Sequence, residues 1–169
     1  MKNKIAIIGG GNLGSAIAEG LLKSKFCNPA DIHITKRNTA TLKNLQAKGI
    51  DTGTDNAVAV KQSQLVILAV KPYQVLEVLG SFKKELTPNH ILVSVVTGML
   101  IKDIEDIIKK KLPVFRAMPN TAIAIQESMT CLSFTNATEK QTAYVKDLFA
   151  VLGKVVIINE NLMDAATVL

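Results

Sequence analysis

Residues 5–14 read Ile5-Ala6-Ile7-Ile8-Gly9-Gly10-Gly11-Asn12-Leu13-Gly14, and this stretch decides the fold. An apolar run this short, closed by glycines, reads as a buried strand. The glycines then satisfy G-x-G-x-x-G. Behind them Leu13, Ala16, Ile17, Gly20 and Leu21 recur at helical spacing. Strand, glycine turn and helix form the context in which that pattern holds a dinucleotide. Gly9 permits the tight turn, Gly11 lets the backbone approach a pyrophosphate, and Gly14 lets helix and strand pack closely. The N–H groups and dipole of the new helix then face the phosphates. A glycine-rich turn without a ligand is the competing reading, but an ordinary turn needs fewer glycines.

Working outward, short apolar runs alternate with helix-period stretches. The pattern predicts strands at residues 4–8, 32–35, 65–69, 91–95, 114–118, 131–134 and 155–158. Helix faces are predicted from Val75, Val78, Leu79 and Phe82, and from Val145, Leu148, Phe149 and Leu152. Gly49 and Gly153 follow helical runs where a left-handed residue is wanted, Pro72 suits a first helical position, and Pro88-Asn89 marks a turn. Such alternation means βαβ units. The expected fold class is therefore α/β, a Rossmann-type doubly wound, mainly parallel sheet with helices on both faces. The 169 residues fit one domain, and with only 4% aromatics the core must be built of Ile, Val, Leu and Ala.

The net charge of +6 raises the question of nucleic acid. The lysines do not cluster as that partner requires, and Lys109-Lys110-Lys111 closes a helical run where cations favour the dipole. Solvated surface charge is the reading taken, and an anionic small molecule suits the charge equally well. Cys27 and Cys131 stand far apart without metal-ligand spacing, as free thiols in a reducing compartment do. No targeting peptide or bilayer-spanning stretch is read, so a soluble cytoplasmic protein is expected, without nucleic-acid or membrane partners. His33 and His90 are read as structural or exposed, and no metal set or nucleophile–base pair is found.

Cofactor choice turns on the second strand. An NAD site usually has Asp or Glu at that strand's carboxyl end, but here the residues are Thr35-Lys36-Arg37-Asn38. Lys36 and Arg37 suit a 2′-phosphate, with Arg binding in planar, bidentate fashion, unless both are merely solubilising charges. NADP(H) is preferred, with NAD(H) possible. Ala69-Val70-Lys71-Pro72 should face the same sheet edge as the glycines, or serve only as a βα turn. Arg116-Ala117-Met118-Pro119-Asn120-Thr121 should also reach that edge. Asn56 either caps the helical segment at 57–61 or meets a ligand.

Together these motifs resemble pyrroline-5-carboxylate reductase, the last enzyme of proline synthesis. The resemblance runs through residues 7–14, Asp55-Asn56, Leu68-Ala69-Val70-Lys71-Pro72 and residues 116–121, in order, over the whole chain. The A-V-K-P and R-x-M-P-N-T combination is more specific than the glycine turn. It implies that Gly11, Asn12, Leu13, Lys36, Arg37, Asn38, Asn56, Ala69, Val70, Lys71 and Pro72 line the dinucleotide. Met118, Pro119, Asn120 and Thr121 would lie near the nicotinamide. Two residues depart from the family pattern: Leu13 replaces Met, and Ala122 replaces a second Pro, which should leave that loop less rigid.

The resemblance further implies NADPH-dependent reduction of the cyclic imine 1-pyrroline-5-carboxylate to L-proline, the cofactor carrying the hydride chemistry. Residues 1–160 would be the dinucleotide domain. Residues 161–169 would begin a helix leading to an all-helical dimerisation and substrate domain absent from this chain. Catalytic residues are expected in that domain, and the full-length protein is expected to be a homo-oligomer. Without that domain the chain should bind NADPH yet reduce imine poorly, because near-attack geometry is incomplete. Competing readings are another NADP-dependent oxidoreductase with a similar first domain, and a stand-alone NADP(H)-binding module that senses without catalysis.

Overall fold

The computed structural model describes residues 3–166. In chain order these form β1 (Ile5–Ile8), α1 (Asn12–Lys23), β2 (Ile32–Thr35), α2 (Lys43–Ala47), β3 (Asp51–Gly53), α3 (Asn56–Lys61), β4 (Leu65–Leu68), α4 (Val75–Phe82), β5 (Ile91–Ser94), α5 (Ile101–Ile108), β6 (Val114–Met118), β7 (Ser128–Thr135), α6 (Glu139–Ala150), β8 (Gly153–Ile157) and α7 (Met163–Ala166), joined by turns and short 3-10 segments. The strands make one sheet in the order β3-β2-β1-β4-β5-β6-β7-β8. Neighbours run parallel except β6 and β7. The doubly wound α/β reading holds. From β1 the chain steps to β2 and β3, then returns past β1 to β4. That reversal opens a crevice outside the carboxyl ends of β1 and β4.

The alternation of β1 explains the two-sided packing. Ile5 and Ile7 enter one core with Ile17 and Leu21 of α1 and Phe149 of α6. Ala6 and Ile8 enter the other with Val60, Leu79, Phe82 and Ile104. All four β1 residues are buried, and each large aliphatic side chain so placed contributes roughly 1.5–3 kcal/mol. The glycine turn is thus mounted on the most deeply buried kind of strand.

Several expectations need correcting. β3 was not predicted, since Asp51-Thr52-Gly53 carries no apolar signal and sits at a sheet edge. β7 begins at Ser128, before the predicted residue 131, with Ser128 and Thr130 facing inward and Met129 outward. Gly49 does adopt a positive φ of 95° after α2. Gly153 instead opens β8 at φ 143°, where a Cβ would collide with the backbone of Ser128. Lys110 is more than solvated charge. Its ammonium donates to the carbonyls of Lys83, Lys84 and Leu86 at 2.7, 3.1 and 2.8 Å, capping the segment that follows α4. The helix expected at 161–169 begins at Met163, after a 3-10 turn over Glu160–Leu162, and residues 167–169 lie outside the described ones. No helix among the described residues is long and apolar enough to cross a membrane.

Candidate dinucleotide site

A cavity of about 770 Å³ opens at the switch point. Its floor is the turn after β1, held by two bonds in which the N–H groups of Gly9 and Gly10 donate to the Thr35 carbonyl at 3.1 and 2.8 Å. Three of the glycines there lack side chains for different reasons. Gly9 stands at φ 111°, and a Cβ on it would run into the Ala69 carbonyl. On Gly14 a Cβ would run into the Gly9 carbonyl, because α1 crosses that close to the turn. Gly11 has an ordinary extended backbone, with φ −75°, and a Cβ there would meet nothing within 4 Å. Packing accounts for the first two and leaves the third unexplained by the protein itself. Gly11 is also the N-cap of α1, with no side-chain cap bond and no acidic residue in the first turn. That end of the helix therefore keeps its positive dipole open to the cavity.

Of the residues predicted for the site, Gly9, Gly11, Asn12, Leu13, Lys36, Arg37, Asn38, Asn56, Ala69, Val70, Lys71 and Pro72 line this one cavity. Gly14 sits beneath it as packing. Met118, Pro119, Asn120 and Thr121 are not part of the lining; they end β6 and open the next 3-10 turn. There Asn120 Oδ1 accepts from the N–H of Ala122 at 3.2 Å, a bond that a proline at 122 could not make.

Local chemistry explains the side-chain positions. Asp55, not Asn56, caps α3, its Oδ1 accepting from the Val58 N–H at 3.1 Å. Asn56 is thereby free of the capping role. Its Oδ1 accepts from Thr35 Oγ1 at 2.7 Å, and its Nδ2 donates to Ser81 Oγ at 3.0 Å. This bridge ties the ends of β2 and α4 across the cavity. Pro72 takes the first position of its 3-10 turn, and Gln74 Oε1 accepts from the Lys71 N–H at 3.1 Å. Arg37 reaches over the mouth to Glu77 of α4, with Nη2 at 3.4 and 3.3 Å from the two carboxylate oxygens.

Thr35, Glu77 and Ser81, with Val95 and Thr97 at the end of β5, also line the cavity and were not predicted. The residues after β5 were recoverable, since strand ends in one parallel sheet share an edge. Glu77 and Ser81 had no signal, because helix period tells which face is apolar but not which polar residue overhangs a crevice. His90 is structural as read, with Nδ1 accepting from the Thr87 N–H at 2.9 Å and Nε2 3.1 Å from the Val60 carbonyl. His33 lies 3.4 Å from Asp51, and neither histidine touches the cavity.

The family model for "NADP oxidoreductase coenzyme F420-dependent" matches residues 4–98, which take in every part of the cavity. The chain belongs to this family. Among relatives of this NADP oxidoreductase family member, pyrroline-5-carboxylate reductase 1 of Dictyostelium discoideum is 39% identical over 99% of the chain, which covers 32% of that protein. A pyrroline-5-carboxylate reductase structure from Coxiella burnetii superposes on the whole chain with a TM-score of 0.94 at 27% identity, and 64% of it is covered. The Plasmodium falciparum pyrroline carboxylate reductase, solved with NADP bound, gives a TM-score of 0.87 at 25% identity over 99% of this chain and 62% of its own. The chain thus spans a third of the first relative and under two thirds of the two structures. The likeness to pyrroline-5-carboxylate reductases that the A-V-K-P and R-x-M-P-N-T motifs suggested is present along the whole chain.

Proposed function

We propose that this chain holds a nicotinamide dinucleotide, NADP(H) in preference to NAD(H), as the cofactor half of an enzyme reducing 1-pyrroline-5-carboxylate to L-proline. The observation that carries the reading is Gly11. It borders the cavity at the mouth of an uncapped helix, and nothing in the protein occupies the space its missing side chain leaves. A pyrophosphate approaching the backbone accounts for that vacancy. Lys36 and Arg37 at the end of β2, with no carboxylate in that turn, suit a 2′-phosphate. The neighbour solved with NADP bound supports the same choice.

In this reading the α1 N-terminus orients the pyrophosphate, Asn56 fixes the adenosine side of the crevice through Thr35 and Ser81, and the Ala69–Pro72 turn walls its other side. A reduced nicotinamide, when bound, supplies the hydride that reduces the imine carbon. Met118, Pro119, Asn120 and Thr121, at and just after the end of β6 on the same sheet edge, are assigned to the nicotinamide end. Residues 1–160 form the dinucleotide domain, and α7 leads toward an all-helical domain that grips the substrate and pairs subunits. Such a protein is a homo-oligomer working in the cytoplasm.

The experiment is NADPH oxidation with 1-pyrroline-5-carboxylate as acceptor. A polypeptide joining this chain to a substrate-holding domain should turn over and lose turnover with Gly11→Asp, whereas this chain alone should be weak or inactive. Turnover that survives Gly11→Asp contradicts the proposal.

A further inference from the structure

The turn after β2 lacks the carboxylate that an NAD site uses, yet a carboxylate stands at the same end of the cavity on another element. Glu77 comes from α4, lines the cavity, and lies 3.3–3.4 Å from Arg37 Nη2 across the mouth. Both side chains are about three-quarters exposed, at 74% and 76%, so neither is locked in place by burial. Glu77 also sits in the first turn of α4, where a negative charge favours the helix dipole, so its backbone position does not depend on Arg37.

We infer that Glu77 is a specificity-determining residue that lowers discrimination between NADP(H) and NAD(H). Its carboxylate acts on both cofactors with opposite sign. Toward a 2′-phosphate it competes for the Arg37 guanidinium and adds like-charge repulsion. Toward a ribose diol it offers the acceptor that the end of β2 does not. Glu77 engages Arg37 Nη2, the nitrogen common to both forks of the guanidinium, so a phosphate gripped in bidentate fashion has to share or displace that contact. The consequence is a cavity tolerant of both cofactors, with the preference that Lys36 and Arg37 give tempered by one exposed ion pair and therefore sensitive to salt.

The inference rests on the dinucleotide reading, and the test separates the two. Dissociation constants for NADPH and NADH are measured calorimetrically on the chain, Glu77→Gln, Arg37→Ala and the double variant, at low and high salt. Glu77→Gln should tighten NADPH by about threefold, the size expected of exposed charge pairs, and should leave NADH unchanged or weaker. The gain should shrink in the Arg37→Ala background and at high salt. An unchanged NADPH-to-NADH ratio in Glu77→Gln, or a gain equally large without Arg37, overturns the role given to Glu77 while leaving cofactor binding intact. Binding of neither dinucleotide by the folded parent chain overturns the cofactor reading, and this inference with it.

Discussion

Replacing Gly11 or Gly9 by alanine separates what the turn needs in order to fold from what it needs in order to bind. At Gly11 the backbone is extended, with φ −75° and ψ −163°, and an added methyl meets nothing. Loss of a glycine N-cap costs a few tenths of a kcal/mol to about 1 kcal/mol, and the lower entropy of the unfolded chain returns a similar amount. Net stability should change by no more than about 0.5 kcal/mol. Affinity should fall by about tenfold or more, roughly 1.4 kcal/mol, because the methyl stands where the pyrophosphate meets the backbone. At Gly9 the same substitution forces an L-residue to φ 111° and drives its Cβ onto the Ala69 carbonyl. Strain alone is about 1–3 kcal/mol there, and the backbone collision brings the loss to about 3 kcal/mol or more. Urea denaturation reads stability, and calorimetry with NADPH reads affinity. The reasoning fails if Gly11→Ala binds NADPH as tightly as the parent, or unfolds as readily as Gly9→Ala.

Other consequences follow from the same geometry. Lys110→Met removes a charged donor shared by three carbonyls and should lower stability by ~1–2 kcal/mol, seen as an earlier urea midpoint at unchanged slope. The buried Arg116 guanidinium lies 3.5 Å from Glu160, whose Oε1 also accepts from the Ile101 N–H at 2.7 Å. Glu160→Ala should therefore cost about 2 kcal/mol by thermal melting, below the range for fully buried pairs because Glu160 is partly exposed, and Glu160→Gln should recover part of it. Burial, and secondarily the Asp31 carboxylate, push the Cys27 thiol from its ordinary 9.0 up to about 11. Alkylation of Cys27 should thus stay slow at pH 8 and rise toward pH 11. Because the folded value is the higher one, the linked stability is intact below about pH 9 and lost as pH climbs through 11. Alkylation at the rate of a free thiol at pH 8 would contradict this.

How much of this was legible depends on how far each feature is local. The run from Ile5 to Gly14 gives strand, turn and helix because burial on both faces and the glycine spacing act within ten residues. That the turns after β1 and β4 share one sheet edge followed from the alternation, since both strands are four-residue apolar runs, whereas the strand order that puts β4 beside β1 came only with the fold. β3 escaped because an edge strand of three polar and small residues buries too little to leave a pattern. The start of β7 escaped for the opposite reason. Ser128 and Thr130 are buried and Met129 is exposed, which inverts the hydropathy code. The antiparallel turn from β6 to β7 was hidden because no helix intervenes, only a 3-10 segment over Thr121–Ile125. Around the cavity, residues on the turns after β1, β2 and β4 were readable, while those after β5 were passed over and those after β6 fall outside the lining. Asn56 was ambiguous until Asp55 took the cap, and Glu77 became visible only when α4 was folded over the end of β2.

The account stands most directly on calorimetric titration of this chain with NADPH and with NADH. It predicts that both bind, NADPH more tightly, that Arg37→Ala narrows the difference, and that Gly11→Asp abolishes binding of both in a protein that still folds. A folded chain that binds neither dinucleotide, or binds them unaffected by Gly11→Asp, would contradict it.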